Sequence, residues 1–167
     1  MDPVLRAIRP DDLIGLNGLG DRLLALNNAN AEALSWLESH ELLHMVGETF
    51  HATRIGDVEA FLLSFDPLAD YESPNFRWFC ERCEGFIYVD RVVVAPEARG
   101  RGLARYLYED LFRMARHRGF DRVVCEVNSN PPNPASDAFH AALGFIEVGT
   151  AQLSPAKTVT YLQRDLS

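Results

Sequence analysis

The sequence predicts an α/β fold, a mixed α+β sheet flanked by helices, on three observations. Phe86 to Val94 (FIYVDRVVV) is a long run of β-branched and aromatic residues, stopped by Ala95-Pro96. Leu103, Leu107, Leu111 and Ala115 then recur at every fourth position, with Arg105, Glu109, Arg113 and Arg116 between them. That spacing is an amphipathic helix of about four turns. Arg122 to Val127 is a second β-rich run, so strand, helix and strand follow one another over 86–127 as a parallel crossover.

The elements before this unit come in a readable order. Leu5 to Arg9 is a short strand candidate, and Pro10-Asp11-Asp12 opens a helical region. Within it Leu13, Leu16, Leu23, Leu24, Leu26, Ala33, Leu34 and Leu37 fall near helical spacing, and Gly47 is expected to end it. Glu48 to Ile55 and Val58 to Phe65 are β-rich runs separated by Gly56-Asp57, the pattern of a hairpin, and Asp66 to Pro74 reads as a loop. After the crossover helix, which should close at Arg118-Gly119, a Pro/Asn loop from Asn128 to Pro134 leads to a short helix, Ala135 to Leu143, stopped by Gly144. Strand candidates at Phe145 to Gly149 and Thr158 to Leu162 complete the order. No linker, repeat or low-complexity tract interrupts it, so residues 1–167 are expected to form a single domain.

Composition narrows the function classes. The chain carries 16 Lys+Arg against 24 Asp+Glu, a net charge of −8, which argues against a nucleic-acid or anionic-membrane partner and permits cationic, amine-bearing substrates. A chain of this length buries roughly 70% of its unfolded surface, enough for a core without staples. No window approaches the ~20 apolar residues of a membrane span, and Met1-Asp2-Pro3 begins no basic-then-apolar leader, so a cytoplasmic location is expected. Cys80, Cys83 and Cys125 suit a reducing compartment, and the lone CxxC of Cys80 and Cys83 lacks the second pair that closes a tetrahedral zinc site. His40-Glu41-Leu42-Leu43-His44 matches the HExxH pattern of zinc hydrolases. Gly47 is expected to interrupt its helix, Glu48 lies too near along it, and no later segment offers a clear third ligand, so no metal is expected.

The chemistry concentrates in Val92 to Ala104, where a buried strand enters a glycine-containing turn that opens a helix. Gly100 and Gly102 let the backbone approach a ligand without Cβ interference, and the free N–H groups of a helix's first turn converge on a point that binds phosphate. A P-loop would need GK[ST], and a dinucleotide fingerprint would need a third glycine near Arg105.

This stretch resembles the GNAT superfamily of acyl-CoA-dependent N-acyltransferases. That family carries Arg/Gln-x-x-Gly-x-Gly/Ala at a helix start after a proline-bounded loop, matched by Arg99, Gly102 and Ala104. Its later signature, an Asn followed by a short helix ending in Gly-Phe, is matched by Asn133 and Leu143-Gly144-Phe145, with Asn130 competing for the Asn because the loop is longer than usual. The resemblance implies the GNAT acyl-CoA N-acyltransferase fold, a central mixed sheet with a splayed strand pair, and acetyl-CoA as co-substrate without a metal. The backbone N–H groups of Arg99, Gly100, Arg101, Gly102, Leu103 and Ala104 would hold the pyrophosphate, and Asn133 would belong to the cofactor side. Val92, Val93 and Val94 would run beside the pantetheine arm, the N–H of Val92 or Val93 serving as oxyanion donor. Arg101 and Arg105 meet CoA phosphates or are merely solvated. The implied reaction is transfer of an acetyl group from acetyl-CoA to a primary amine by direct attack, by a monomer or homodimer with no nucleic-acid or membrane partner.

Such a reaction must remove a proton from the amine and supply one to the departing thiolate. Asp90 lies two and four residues before Val92 and Val94 and is expected on their face, with Arg91 on the other. A carboxylate in so hydrophobic a strand is either used as base or ammonium ligand, or bound to a structural partner; Glu126 on the next strand is the second choice. The family's usual acid is a Tyr seven residues after the Asn and five before the Phe, and here that position is His140. His140 can donate as imidazolium or through its neutral N–H, or it is a helix residue without a chemical role. The acceptor pocket is expected among the helical region near Asn27 to Trp36, the loop with Tyr71, Ser73, Asn75 and Phe76, and the C-terminal strands. The missing Tyr also admits a different class of function, a non-catalytic acyl-CoA-binding module.

Overall fold

The β-rich runs assemble into one seven-stranded sheet in the computed structural model, which describes residues 2–15, 18–31 and 34–167. Its strands are β1 (Leu5–Ala7), β2 (His51–Ile55), β3 (Ala60–Phe65), β4 (Phe86–Val94), β5 (Arg122–Asn130), β6 (Ile146–Ser154) and β7 (Lys157–Asp165). They lie in the order β1-β2-β3-β4-β5-β7-β6, and every neighbouring pair is antiparallel except β4 and β5, which the expected crossover makes parallel. The helices are α1 (Pro10–Leu13), α2 (Leu19–Asn28), α3 (Ser39–Glu48), α4 (Pro74–Cys80), α5 (Leu103–His117) and α6 (Pro134–Ala142). None among the described residues is long and apolar enough to cross a membrane.

Both sheet faces are covered, so β3 reads AFLLSF and is buried at every position. The stripe of α5 packs on one face, where Leu107, Leu111 and Ala115 are 0% exposed beside Ile87, Val89 and Val123. Each such leucine contributes about 1.5–3 kcal/mol through burial. Leu19 and Leu23 of α2, Met45 and Val46 of α3, and Phe76 and Phe79 of α4 cover the other face, against Phe61, Phe86, Tyr88 and Tyr161.

The N-terminal half departs from the expected elements in three places. The helical region is broken into three helices, with Leu34 and Leu37 between α2 and α3, while Leu16 and Ala33 lie outside the described residues. Gly47 sits inside α3 instead of ending it, so His40 and His44 do share one helix. His44 Nε2 lies 2.9 Å from the carbonyl oxygen of Asp70, and no cluster of three His, Cys, Asp or Glu able to hold a metal exists among the described residues. Finally, α4 follows the expected loop. Ser73 caps it by accepting from the Phe76 N–H at 3.4 Å, and Pro74 occupies the first helical position, a start signal hidden by the aromatic run that follows.

One packing contact is unusually unforgiving. A Cβ placed on Gly149 would lie 2.5 and 2.7 Å from Cζ2 and Cη2 of Trp78, whose ring is stacked 4.1 Å from that of Tyr161 and cannot retreat. Gly149→Ala is therefore expected to lower stability by about 1–3 kcal/mol. Gly47→Ala, where the new Cβ meets only Pro10 Cγ at 4.0 Å, is expected to be neutral or stabilising by up to ~1 kcal/mol. Urea midpoints of the two variants check the contrast.

Candidate active site

The site begins where two parallel strands stop pairing. β4 and β5 share only three register pairs, the last being Tyr88↔Val124, although they continue to Val94 and Asn130. Beyond Tyr88 the facing backbone groups have no ladder partner across the gap, and such groups seek one. On its other edge β4 stays paired with β3, but the register steps from Ser64↔Val89 to Leu63↔Arg91, leaving Asp90 as an extra residue. This is a β-bulge, which bends a strand and re-aims its side chains.

The bulge overturns the expected placement of Asp90. Ile87, Val89, Val92 and Val94 pack on the α5 face, whereas Phe86, Tyr88 and Val93 pack on the other. Counting alternately from either end puts both Asp90 and Arg91 on the Tyr88 face. Asp90 is thus opposite to Val92 and Val94, and Arg91, expected across the sheet, donates from Nε to Asp90 Oδ2 at 2.6 Å. Both side chains are 5% exposed. The Tyr71 hydroxyl donates to Asp90 Oδ1, and Arg91 Nη1 donates to Asn27 Oδ1 at 2.7 Å. Both Asp90 oxygens are therefore occupied.

The same bookkeeping of alternation separates the three valines. The Ala95 N–H donates to the Glu59 carbonyl at 2.8 Å, on the β3 side. The N–H of Val93 points the same way and those of Val92 and Val94 point into the gap. Of the two expected oxyanion donors, Val92 is the one that faces the opening.

Across the gap stands Glu126 of β5. It accepts from the Tyr88 hydroxyl at 2.8 and 3.0 Å and from Asn75 Nδ2 at 3.1 Å, while Tyr161 donates to Asn75 Oδ1 at 2.9 Å and fixes the amide. Burial, and then the negative charge of Asp90, push the Glu126 carboxyl from 4.5 up to about 8, against the hydrogen bonds that hold it down. Glu126 lines two cavities. One, of about 200 Å³, occupies the gap with Val92, Tyr108, Asn133 and His140. The other, of about 370 Å³, lies on the far face with Ala31, Leu34, Ser35, Tyr71, Ser73, Asn75 and Lys157. The expected acceptor-pocket segments meet there, except that Phe76 is buried in the core.

His140 is 5% exposed and lies in the first cavity. Its Nδ1 is 2.8 Å from the Ser136 carbonyl oxygen, which can only accept, so Nδ1 carries the proton. Nε2 is then a bare acceptor for the Tyr108 hydroxyl at 2.9 Å. Burial pulls the His140 pKa below 6.5 and keeps it neutral at pH 7. The proton facing the gap is therefore on Tyr108. This residue went unnoticed because it follows Leu107 on the apolar side of α5 and reads as core; its signal was a hydroxyl needing a buried partner.

The turn before α5 is shaped as the glycines require. A 3-10 turn, Pro96–Ala98, leads through Arg99 to Gly100 (φ 79°) and Gly102 (φ 74°). A Cβ at either glycine would meet nothing within 4 Å, so the space is open, and positive φ is what demands glycine. No side chain caps α5, and the N–H groups of Gly100 to Arg105 find no backbone acceptor among the described residues, which leaves them available for an anion. Arg99 is exposed and forms no ion pair among the described residues, whereas Arg101 pairs with Glu59 at 3.2 Å and Arg105 with Glu109 at 3.5 Å, both half-exposed and readily exchanged. Asn133 caps α6 by accepting from the Ser136 N–H at 3.2 Å, while Asn130 pairs with Thr158 in the sheet.

Several solved structures share this architecture. Ribosomal-protein-S18-alanine N-acetyltransferase from Escherichia coli is 16% identical, with TM-score 0.69 over 99% of this chain and 95% of that one. Ribosomal-protein-alanine N-acetyltransferase from Brucella melitensis is 23% identical, with TM-score 0.68 over 97% and 99%. The structure of yncA from Salmonella typhimurium with its cofactor acetyl-CoA is 18% identical, with TM-score 0.71 over 100% and 95%. No curated protein matches in sequence. The model of the Acetyltransferase (GNAT) family matches residues 62–145, from β3 through α6, just over half of the 167 residues. With the splayed β4 and β5 and the glycine turn before α5 inside that span, the chain belongs to the GNAT acetyltransferase family.

Proposed function

We propose that the protein transfers an acetyl group from acetyl-CoA to a primary amine by direct attack, with Glu126 rather than Asp90 as general base. The observation that carries this reading is the position of Glu126 on the wall common to both cavities. A thioester in the gap and an amine on the far face would meet beside it.

The glycine turn and the first turn of α5 hold the pyrophosphate through backbone N–H groups, supplemented by Arg99 and, after exchange from Glu59 and Glu109, by Arg101 and Arg105. The pantetheine arm runs along the unpaired edge of Val92 to Val94. The thioester oxygen takes the Val92 N–H, which stabilises the negative charge that develops on attack. Glu126, with its pKa near the operating pH, removes the amine proton, the C–N bond forms and the C–S bond breaks. The Tyr108 hydroxyl turns from His140 to the departing thiolate and supplies its proton; His140 positions that hydroxyl. Asp90 neutralises Arg91 and holds Tyr71 in the acceptor wall. The absent helix tyrosine is no ground for a silent binding module when Tyr108 brings a hydroxyl to the same opening.

Because the base must be ionised, kcat/KM is expected to rise with pH through about 8 and level off above it. Glu126→Gln should abolish that limb and lower kcat by roughly 10²–10⁴-fold. The folded-state pKa of Glu126 lies above its ordinary 4.5, so ionising this carboxyl weakens the fold increasingly as pH rises from 4.5 through about 8. Glu126→Gln should therefore be at least as stable as the parent at pH 8 while nearly inactive, which thermal unfolding checks. Tyr108→Phe should lower kcat by about tenfold or more while acetyl-CoA affinity, measured by calorimetry, stays within about threefold. An unaltered kcat would leave the Tyr108–His140 pair a packing contact only.

A further inference from the structure

We propose that Lys157 anchors an anionic group of the acceptor, which makes the acceptor a small zwitterion, a free α-amino acid carrying its carboxylate beside the reacting amine. The inference rests on the acetyl-transfer reading and deepens it.

Lys157 is the only lysine in the chain; every other basic residue counted with it is arginine. It opens β7, where Lys157, Val159 and Tyr161 alternate onto one face, and Tyr161 is the register partner of Glu126. The ammonium of Lys157 and the carboxyl of Glu126 thus belong to the same side of the sheet, and both residues line the acceptor cavity and the gap. Their strand positions are separated by roughly 13 Å, and the flexible four-carbon stem of Lys157 shortens that span towards Glu126.

Among the described residues, the charged groups of that cavity are unequally paired. Asp90 is balanced by Arg91, whose guanidinium is also held by Asn27. Glu126 is held largely protonated at neutral pH by burial and by Asp90. Lys157 has neither a carboxylate within 4.0 Å nor a hydrogen-bond partner among the described residues. In a protein of net charge −8, the cavity that Glu126 lines therefore carries a lysine ammonium without an ion-pair partner among the described residues. An amine-only substrate leaves that charge unanswered, whereas an α-amino acid places its carboxylate on Lys157 and its amine on Glu126. Ser35, Ser73, Tyr71 and Asn75 give the rest of the wall polar groups suited to both ends.

The test has two arms. In the first, kcat/KM is measured for L-amino acids and for the same compounds as carboxamides, with the parent protein, Lys157→Met and Lys157→Arg. The parent should prefer the acids at least tenfold, Lys157→Met should reduce that ratio to near one, and Lys157→Arg should restore part of it. A parent that uses carboxamides as well as acids, or a ratio unchanged in Lys157→Met, overturns the proposal. In the second arm the parent protein with CoA is treated with an amine-directed acylating reagent, and Lys157 modification is read by peptide mass spectrometry. N-acetyl-L-amino acids, which lack a competing amine, should protect Lys157, and their carboxamides should not. Protection without any acetyl transfer would refute the transferase mechanism and leave the anchor standing; transfer without preference or protection would refute the anchor alone.

Discussion

Everything in the site depends on the failure of β4 and β5 to pair beyond Tyr88 and Val124. A parallel pair inside a covered sheet normally continues its ladder, because unpaired backbone groups in the interior cost as much as a lost hydrogen bond. Here the separation is sustained by what lies at its base. The bulge at Asp90 bends β4, keeps its outer edge on β3, and turns Asp90 and Arg91 onto one face where they neutralise each other. The gap so formed opens to both faces of the sheet, and only a substrate that crosses the sheet can use it fully.

The two faces are then chemically unequal. On the α5 side the opening meets Tyr108, Cys125 and His140, where the Tyr108 hydroxyl is held by a neutral imidazole. On the other side it meets Glu126 inside a ring of donors from Tyr88 and Asn75, next to the Asp90–Arg91 pair. Burial raises the carboxyl and lowers the imidazole, so each is drawn towards its neutral form. A carboxyl on one face and a hydroxyl on the other suit a reaction in which an amine adds to a carbonyl carbon and a thiolate leaves it. The acidity of the whole protein matters less than this local arrangement, since the turn before α5 offers backbone N–H groups without acceptors among the described residues and the cavity on the far face carries a lysine.

Much of this was legible in the residues. The run of β-branched and aromatic residues placed β4 at Phe86–Val94, periodicity placed the stripe of α5, and the glycine spacing located the open turn between them, because these features follow from local geometry. One reason for setting aside the HExxH pattern does not hold, since Gly47 does not break α3. What alternation could not supply was the bulge: a single extra residue reverses the face of everything after it, which moved Asp90 away from Val92 and brought Arg91 to it. Helix α4 was hidden for a different reason, its aromatics reading as strand or core. The surroundings of Tyr108 and Glu126 depend on contacts between residues 32 or more positions apart in sequence, such as Tyr108 with His140 or Tyr88 with Glu126, and no local pattern encodes those.

A crystal structure of the protein with CoA tests the role of the gap most directly. The sulfur is expected between β4 and β5 beyond Tyr88 and Val124, within hydrogen-bond reach of the Tyr108 hydroxyl, with the Glu126 carboxyl facing it from the acceptor side and the pyrophosphate on the N–H groups of Gly100 to Ala104. A sulfur lodged outside the gap, or strands β4 and β5 zipped together along their whole length in the complex, would contradict it.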